Sequence, residues 1–142
     1  EWEFPVAFAP HEPETTLAEV ISENGMRQLH VAETEKYAHV TYFFNGGRED
    51  LFAGEERILV PSPQVATYDL MPQMSAPGIT DVLVDDLDTR KHDIVICNFA
   101  NADMVGHTGK LEPAIAAVET LDQCLGRILS ALKAAGWAYS RD

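Results

Sequence analysis

The apolar positions of the chain change period along its length, and the changes mark out alternating elements. Thr16-Leu17-Ala18-Glu19 has the form of a helix capping box, with Val20 and Ile21 beyond it and Gly25 as a stop, which predicts a short helix. Gln28 to Ala32 alternates polar and apolar residues, the period of a strand. From Glu33 to Phe44, the residues Tyr37, Val40, Phe43 and Phe44 recur at helical spacing and Asn45-Gly46-Gly47 ends the run, which favours a helix. The β-branched and aromatic content of that segment also admits a strand. Arg57 to Val60 is a brief apolar run halted by Pro61-Ser62-Pro63. From there to Pro77 the chain carries four prolines, Pro61, Pro63, Pro72 and Pro77, and shows no period, as expected of a long loop, ordered or disordered.

The second half is more regular. Thr80 to Leu87 reads as a helix through Val82, Leu83 and Leu87, and Asp93 to Phe99 is a continuous apolar run that predicts a strand buried on both faces. Leu111, Ile115, Val118, Leu121, Leu125, Ile128, Leu129 and Leu132 keep a helical period for about six turns, with Gly136 as a stop. That pattern predicts the long surface helix of an α/β layer. Glu1 to Pro13, rich in proline and aromatic residues and without period, reads as an extended connector, and Trp137 to Asp142 as the start of another strand. Helices alternating with strands predict an α/β three-layer sandwich around a mostly parallel sheet, incomplete as the sequence stands.

Composition narrows the partners. The length of 142 residues suits one domain, and 46% hydrophobic with 23% charged residues is the composition of a chain with a packed core. A formal charge of -13 repels phosphate backbones, so nucleic acid is excluded as a partner. A small phosphate ester would need local positive charge, from a bound metal and a few Lys or Arg side chains. Cys97 and Cys124 form no Cys-x-x-Cys pair and no disulfide framework, which argues against a thiolate zinc site and fits a cytoplasmic location. No apolar run approaches the roughly 18 residues that span a bilayer, and Glu1 to Pro13 has neither the basic nor the apolar region of a signal peptide, so no membrane partner is expected.

Candidate chemistry begins with Asp103 and His107, four residues apart in a segment that leaves the apolar strand. A carboxylate and a neutral imidazole suit borderline divalent ions such as manganese or zinc, and the end of a strand is where α/β proteins keep their sites. On a helix this spacing sets both side chains on one face; in a loop, Gly106 and Gly109 let the backbone wrap an ion. The plain alternative is a solvated aspartate beside a surface histidine. Lys36, just after a predicted strand, is the second candidate: its ammonium could hold a phosphoryl oxygen, or simply pair with a neighbouring glutamate on a helix surface. His39 has the same standing. Asp85, Asp86 and Asp88 lack the spacing of a calcium loop and read as a solvated helix face. Gly46-Gly47 reads as a helix stop, and no Gly-x-Ser-x-Gly elbow or phosphate-cradling Gly-Lys loop is present.

Three long segments resemble the cofactor-independent phosphoglycerate mutases of the alkaline phosphatase superfamily. They are Ala32-Glu33-Thr34-Glu35-Lys36-Tyr37-Ala38-His39 continuing to Gly47, Pro61-Ser62-Pro63-Gln64-Val65-Ala66-Thr67-Tyr68-Asp69, and Asn98 to Gly109 with its Asp103-Met104-Val105-Gly106-His107 core. They stand in the family's order, joined by Met74-Ser75-Ala76-Pro77. The resemblance implies an alkaline phosphatase-like fold and the interconversion of 3-phosphoglycerate and 2-phosphoglycerate in glycolysis, through a phosphoserine and with two manganese ions rather than 2,3-bisphosphoglycerate. It implies further that Asp103 and His107 ligate one metal and that Lys36 is a catalytic residue that contacts the transferred phosphoryl group. By the same resemblance Glu1 to about Pro10 is a linker returning from a transferase domain, and residues 11–142 are part of the phosphatase domain. The family's nucleophilic serine and remaining ligands have no counterpart in the chain, and Ser62 is not that serine. The parent enzyme is then expected to be a monomer, and this polypeptide alone to be inactive, weak in metal binding and prone to self-association through open sheet edges. Two other readings remain: a different phosphomutase or phosphatase of the superfamily, and a non-catalytic interaction module on the same scaffold.

Overall fold

The computed structural model describes residues 5–8 and 13–136. The connector Glu1 to Pro13 and the strand starting at Trp137 therefore lie largely or wholly outside the described residues. The elements are α1 (Leu17–Glu23), β1 (Gln28–Glu33), a 3-10 turn (Thr34–Lys36), α2 (Tyr37–Val40), β2 (Glu55–Val60), a second 3-10 turn (Tyr68–Leu70), α3 (Ala76–Thr89), β3 (Ile94–Asn98), α4 (Asn101–Gly106) and α5 (Leu111–Ala135).

The three strands form a parallel sheet in the order β2-β1-β3. Because successive side chains of a strand point to opposite faces, β1 divides the molecule. Val31 packs with Ile79 and Leu83 of α3, with Ile58, Val95 and Ile128 around them. On the other face Gln28 donates to the Ala18 carbonyl of α1, and His30 reaches the Val40 carbonyl of α2. Helices thus cover both faces, the three-layer α/β arrangement expected. At the start of β2, Gly54 has φ +79° and an added Cβ would lie 2.8 Å from the Met26 carbonyl oxygen, so only glycine fits the backbone crossing there.

Several elements depart from the sequence expectation. The central strand is β1, buried along its whole length, its polar Gln28, His30 and Glu33 included. The apolar β3 is instead an edge among the described strands, half-buried, with Cys97 exposed. Apolar content reports which faces a strand could bury, not which neighbours it has. Helix in Glu33 to Phe44 is confined to the turn Thr34–Lys36 and α2. It stops because Thr41 takes φ -121°, ψ -92° and turns its hydroxyl back on the Tyr37 carbonyl at 2.8 Å. Gly46 and Gly47, at φ +69° and +89°, then reverse the chain. The proline-rich stretch is ordered around the turn Tyr68–Leu70.

On α5 the large apolar residues do not all face the core. Leu111, Ile115, Val118 and Leu125 are exposed, whereas the buried positions are Ala117, Cys124 and Ala131, small residues that let neighbouring helices approach closely. The expectation for the acidic cluster on α3 also fails at one member. Asp86 is buried and accepts from His92 Nδ1 at 2.5 Å, while His92 Nε2 lies 3.3 Å from Glu56. A buried carboxylate needs such a partner, and here it ties the end of α3 to the start of β3.

Candidate metal centre

The site lies at the C-terminal end of the sheet, where β1 and β3 each hand over to a short helical segment. Lys36 ends the 3-10 turn after β1 and begins α2. Asp103 sits in the first turn of α4, which starts directly after β3, and His107 caps its end. Parallel pairing of β1 with β3 brings these exits side by side. The fold therefore unites three residues that the sequence holds far apart.

The Lys36 ammonium donates to Asp103 Oδ2, and His107 Nε2 stands 3.2 Å from Asp103 Oδ1. Lys36 is largely buried, with 15% of its side chain exposed, whereas Asp103 and His107 open to solvent at 47% and 75%. The hydrogen bond from Lys36, helped by His107, holds the Asp103 carboxyl below the usual aspartate range. It stays ionised and able to accept a cation. Asp103 and His107 thus present a convergent oxygen and nitrogen donor, a set that fits part of a divalent-cation shell. Among the described residues no third His, Cys, Asp or Glu joins them.

His107 also borders a cavity of about 390 Å³ lined in part by Thr67, Tyr68, Asp69 and Lys110. Thr67, Tyr68 and Asp69 come from the proline-rich stretch and Lys110 from the start of α5; none of them was singled out as a site residue by the sequence. The Lys110 ammonium donates to Asp69 Oδ2 and lowers the pKa of that carboxyl. Tyr68 donates its hydroxyl to Glu35 Oε1 at 2.7 Å, beside Lys36, and that bond raises the tyrosine pKa. Both contacts link segments distant in sequence, so no local spacing could have revealed them. His39 does not join the site; its ring packs edge-on against Phe43.

Ser62 has a structural part in this arrangement. Its Oγ donates to Glu33 Oε2 at 2.9 Å and accepts from the Glu35 N–H at 3.4 Å, while its own N–H donates to Thr34 Oγ1 at 3.1 Å. Ser62 therefore clamps the exit of β2 onto the turn that carries Lys36. Glu33, fully buried, has its pKa raised by burial, an effect that Ser62 and Ser75 oppose. Its folded pKa lies above the unfolded one, so its contribution to stability is present below the unfolded value and is lost as pH rises through the folded value. Ser62→Ala is expected to destabilise the chain by about 1–3 kcal/mol, the cost of an unmet buried acceptor, and to push the Glu33 titration further up. Denaturant unfolding and carboxyl NMR titration check both. An unmoved Glu33 midpoint would refute the clamp.

Comparison with known proteins places the chain in a family. Residues 7–139 match the family model described as the Metalloenzyme superfamily. The chain is 56% identical over 136 residues to the 2,3-bisphosphoglycerate-independent phosphoglycerate mutase of Nitrosococcus oceani, which covers 96% of this chain and 26% of that relative. It is 60% identical over 132 residues to the enzyme of the same name from Ectopseudomonas mendocina, covering 93% of this chain and 26% of the relative. Among solved structures, a Leishmania mexicana phosphoglycerate mutase crystallised at low cobalt concentration superposes with a TM-score of 0.78 at 34% identity, covering 81% of this chain and 21% of that one. The chain spans about a quarter of the length of the curated relatives it matches.

Proposed function

The chain belongs to the Metalloenzyme superfamily, and from that premise we propose that it forms part of the phosphatase-like domain of a metal-dependent phosphoglycerate mutase. Such an enzyme interconverts 3-phosphoglycerate and 2-phosphoglycerate, a step of glycolysis, and needs no 2,3-bisphosphoglycerate. The observation that carries the reading is the convergence of Lys36, Asp103 and His107 at the C-terminal end of the sheet. In this reading Glu1 to about Pro10 is a linker and residues 11–142 belong to the phosphatase-like domain. The protein is cytoplasmic and monomeric, and its substrate is a small phosphorylated carboxylic acid.

Asp103 and His107 would hold one of two divalent ions, manganese in this proposal, through a carboxylate oxygen and an imidazole nitrogen. When bound, such ions supply positive charge that polarises phosphoryl oxygens and activates a hydroxyl nucleophile. Lys36 supplies what the protein itself brings. Its largely buried ammonium sits beside Asp103 and can neutralise a phosphoryl oxygen while the group moves between serine and substrate. Asp103 anchors that ammonium, and the Ser62 clamp fixes the turn from which it projects. Tyr68 and Lys110 line the adjoining cavity and offer a hydroxyl and an ammonium to a small acid, with Asp69 holding the ammonium.

The proposal is tested on the full-length protein that contains this chain. It is expected to interconvert the two phosphoglycerates with no added 2,3-bisphosphoglycerate, to lose activity on chelation and to regain it with manganese. Activity that survives complete metal removal, or that demands 2,3-bisphosphoglycerate, would refute it.

A further inference from the structure

His30 lies at the middle of the central strand with no solvent exposure, on the sheet face opposite α3. Its two ring nitrogens both meet acceptors. Nδ1 is 2.7 Å from the Val40 carbonyl oxygen, at the end of α2, and Nε2 is 3.0 Å from Gln28 Oε1. The Gln28 amide is oriented by its other end, where Nε2 donates to the Ala18 carbonyl at 2.8 Å. Turning that amide over would set its oxygen against the Ala18 carbonyl. The chain of contacts therefore begins and ends on carbonyls, which only accept. A neutral imidazole has one donor, so every combination of tautomer and amide orientation leaves one buried pair of acceptors facing each other. A doubly protonated ring satisfies all three contacts.

A counter-charge is in place. Glu55 Oε1 of β2 stands 3.7 Å from His30 Nδ1. Its carboxylate accepts from Asn45 Nδ2 at 3.1 and 3.0 Å, the Phe52 N–H at 2.9 Å and Arg57 Nε at 2.5 Å, a donor set that suits the ionised form. Among the described residues the charged groups acting on His30 are Glu55 and Arg57 of β2, while α1 and α2 present backbone carbonyls and β1 presents Gln28. Electrostatics alone leave the His30 pKa below the ordinary histidine value: burial is the largest influence and lowers it, Glu55 and the Val40 carbonyl act upward without overcoming it, and Arg57 lowers it further. The hydrogen-bond geometry decides between these opposed influences, because only the charged ring leaves no acceptor bare.

We infer that His30 is carried as an imidazolium and is a positioning residue for Lys36, tying the end of α2 to the central strand. Lys36 caps the start of α2 and Val40 ends it, so the bond to His30 holds one end of a single helical turn that the site lysine precedes directly. Without the second ring proton either the bond to Val40 fails outright or the ring loses its tie to Gln28, and the end of α2 is no longer fixed to the central strand through a fully bonded ring. The inference stands apart from the phosphoryl-transfer reading, since its test measures the ring and the lysine directly.

The test uses the full chain labelled with ¹⁵N at histidine. At neutral pH both ring nitrogens of His30 are expected to carry protons; one bare nitrogen overturns the inference. The link to Lys36 is read by the rate of amine acylation at Lys36 relative to exposed Lys133, measured by mass spectrometry. His30→Gln, which removes the cation, is expected to raise that ratio about tenfold, the factor implied by one lost buried hydrogen bond. His30→Lys, which restores a cation that donates to both acceptors, is expected to return it to the wild-type value. Equal ratios in wild type and His30→Gln would overturn the positioning role. Should His30→Gln fail to fold, a pH titration of the wild type serves. The ratio should rise as the imidazolium signal disappears, and a ratio that stays flat would count against the inference.

Discussion

Asp103→Ala in the full-length protein is expected to lower kcat/KM for phosphoglycerate interconversion on the order of a thousandfold, the largest effect foreseen for any single substitution. The carboxylate has two separate tasks in the proposed site. It is one of the two metal donors that the chain contributes, and it is the acceptor that fixes the Lys36 ammonium. Loss of groups that merely support a metal ligand costs about 10–100-fold; removing a ligand and releasing the lysine together should exceed that. Metal analysis should show reduced occupancy in the same variant. Near wild-type activity with full metal content would mean that Asp103 is neither ligand nor anchor.

Lys36→Met should lower kcat about 10²–10³-fold with metal content unchanged, the loss typical of one preorganised charge aimed at a transition state. Methionine keeps the length of the stem that fills the largely buried path of the lysine, so packing should survive. Lys36→Arg is not a faithful substitute, because a planar fork cannot copy a point charge beside Asp103. A variant that changes KM while leaving kcat intact would assign Lys36 to ground-state binding alone. The two substitutions thus separate metal retention from charge stabilisation.

The candidate site was legible because its three residues lie in dense local patterns. Asp103 and His107 share one short helical segment, and Lys36 follows a strand directly. Their convergence was an implication of the family resemblance and not of the strand pattern, which left the order of the strands open. The remaining contacts were not legible. Tyr68 meets Glu35 and Lys110 meets Asp69 across separations of 33 and 41 residues, and no local period encodes such pairings. Gln28 and His30 misled in the opposite sense. Polar residues spaced along a strand ordinarily face water, yet both are buried and bonded to each other and to backbone carbonyls. Asp86 misled likewise, since His92 compensates a carboxylate that the acidic cluster placed in water. Polar residues that satisfy one another inside the fold look, one at a time, like surface.

The long helix shows the converse. Period alone could not say which of its apolar positions meet α3, and the close packing at Ala117, Cys124 and Ala131 rests on small side chains that carry little hydrophobic signal. The architecture itself was predictable because alternation of helix and strand with a buried parallel sheet has few solutions. Strand order was not, and with it went the placing of β1 at the centre and β3 at the edge of the described strands.

The central claim is that Asp103 and His107 hold a divalent cation beside Lys36. Crystals of the full-length protein grown with manganese, measured at the manganese absorption edge, test it most directly. An anomalous peak in bonding contact with an Asp103 carboxylate oxygen and a His107 ring nitrogen is expected. A fully metallated, active crystal with every manganese peak remote from both side chains would contradict it.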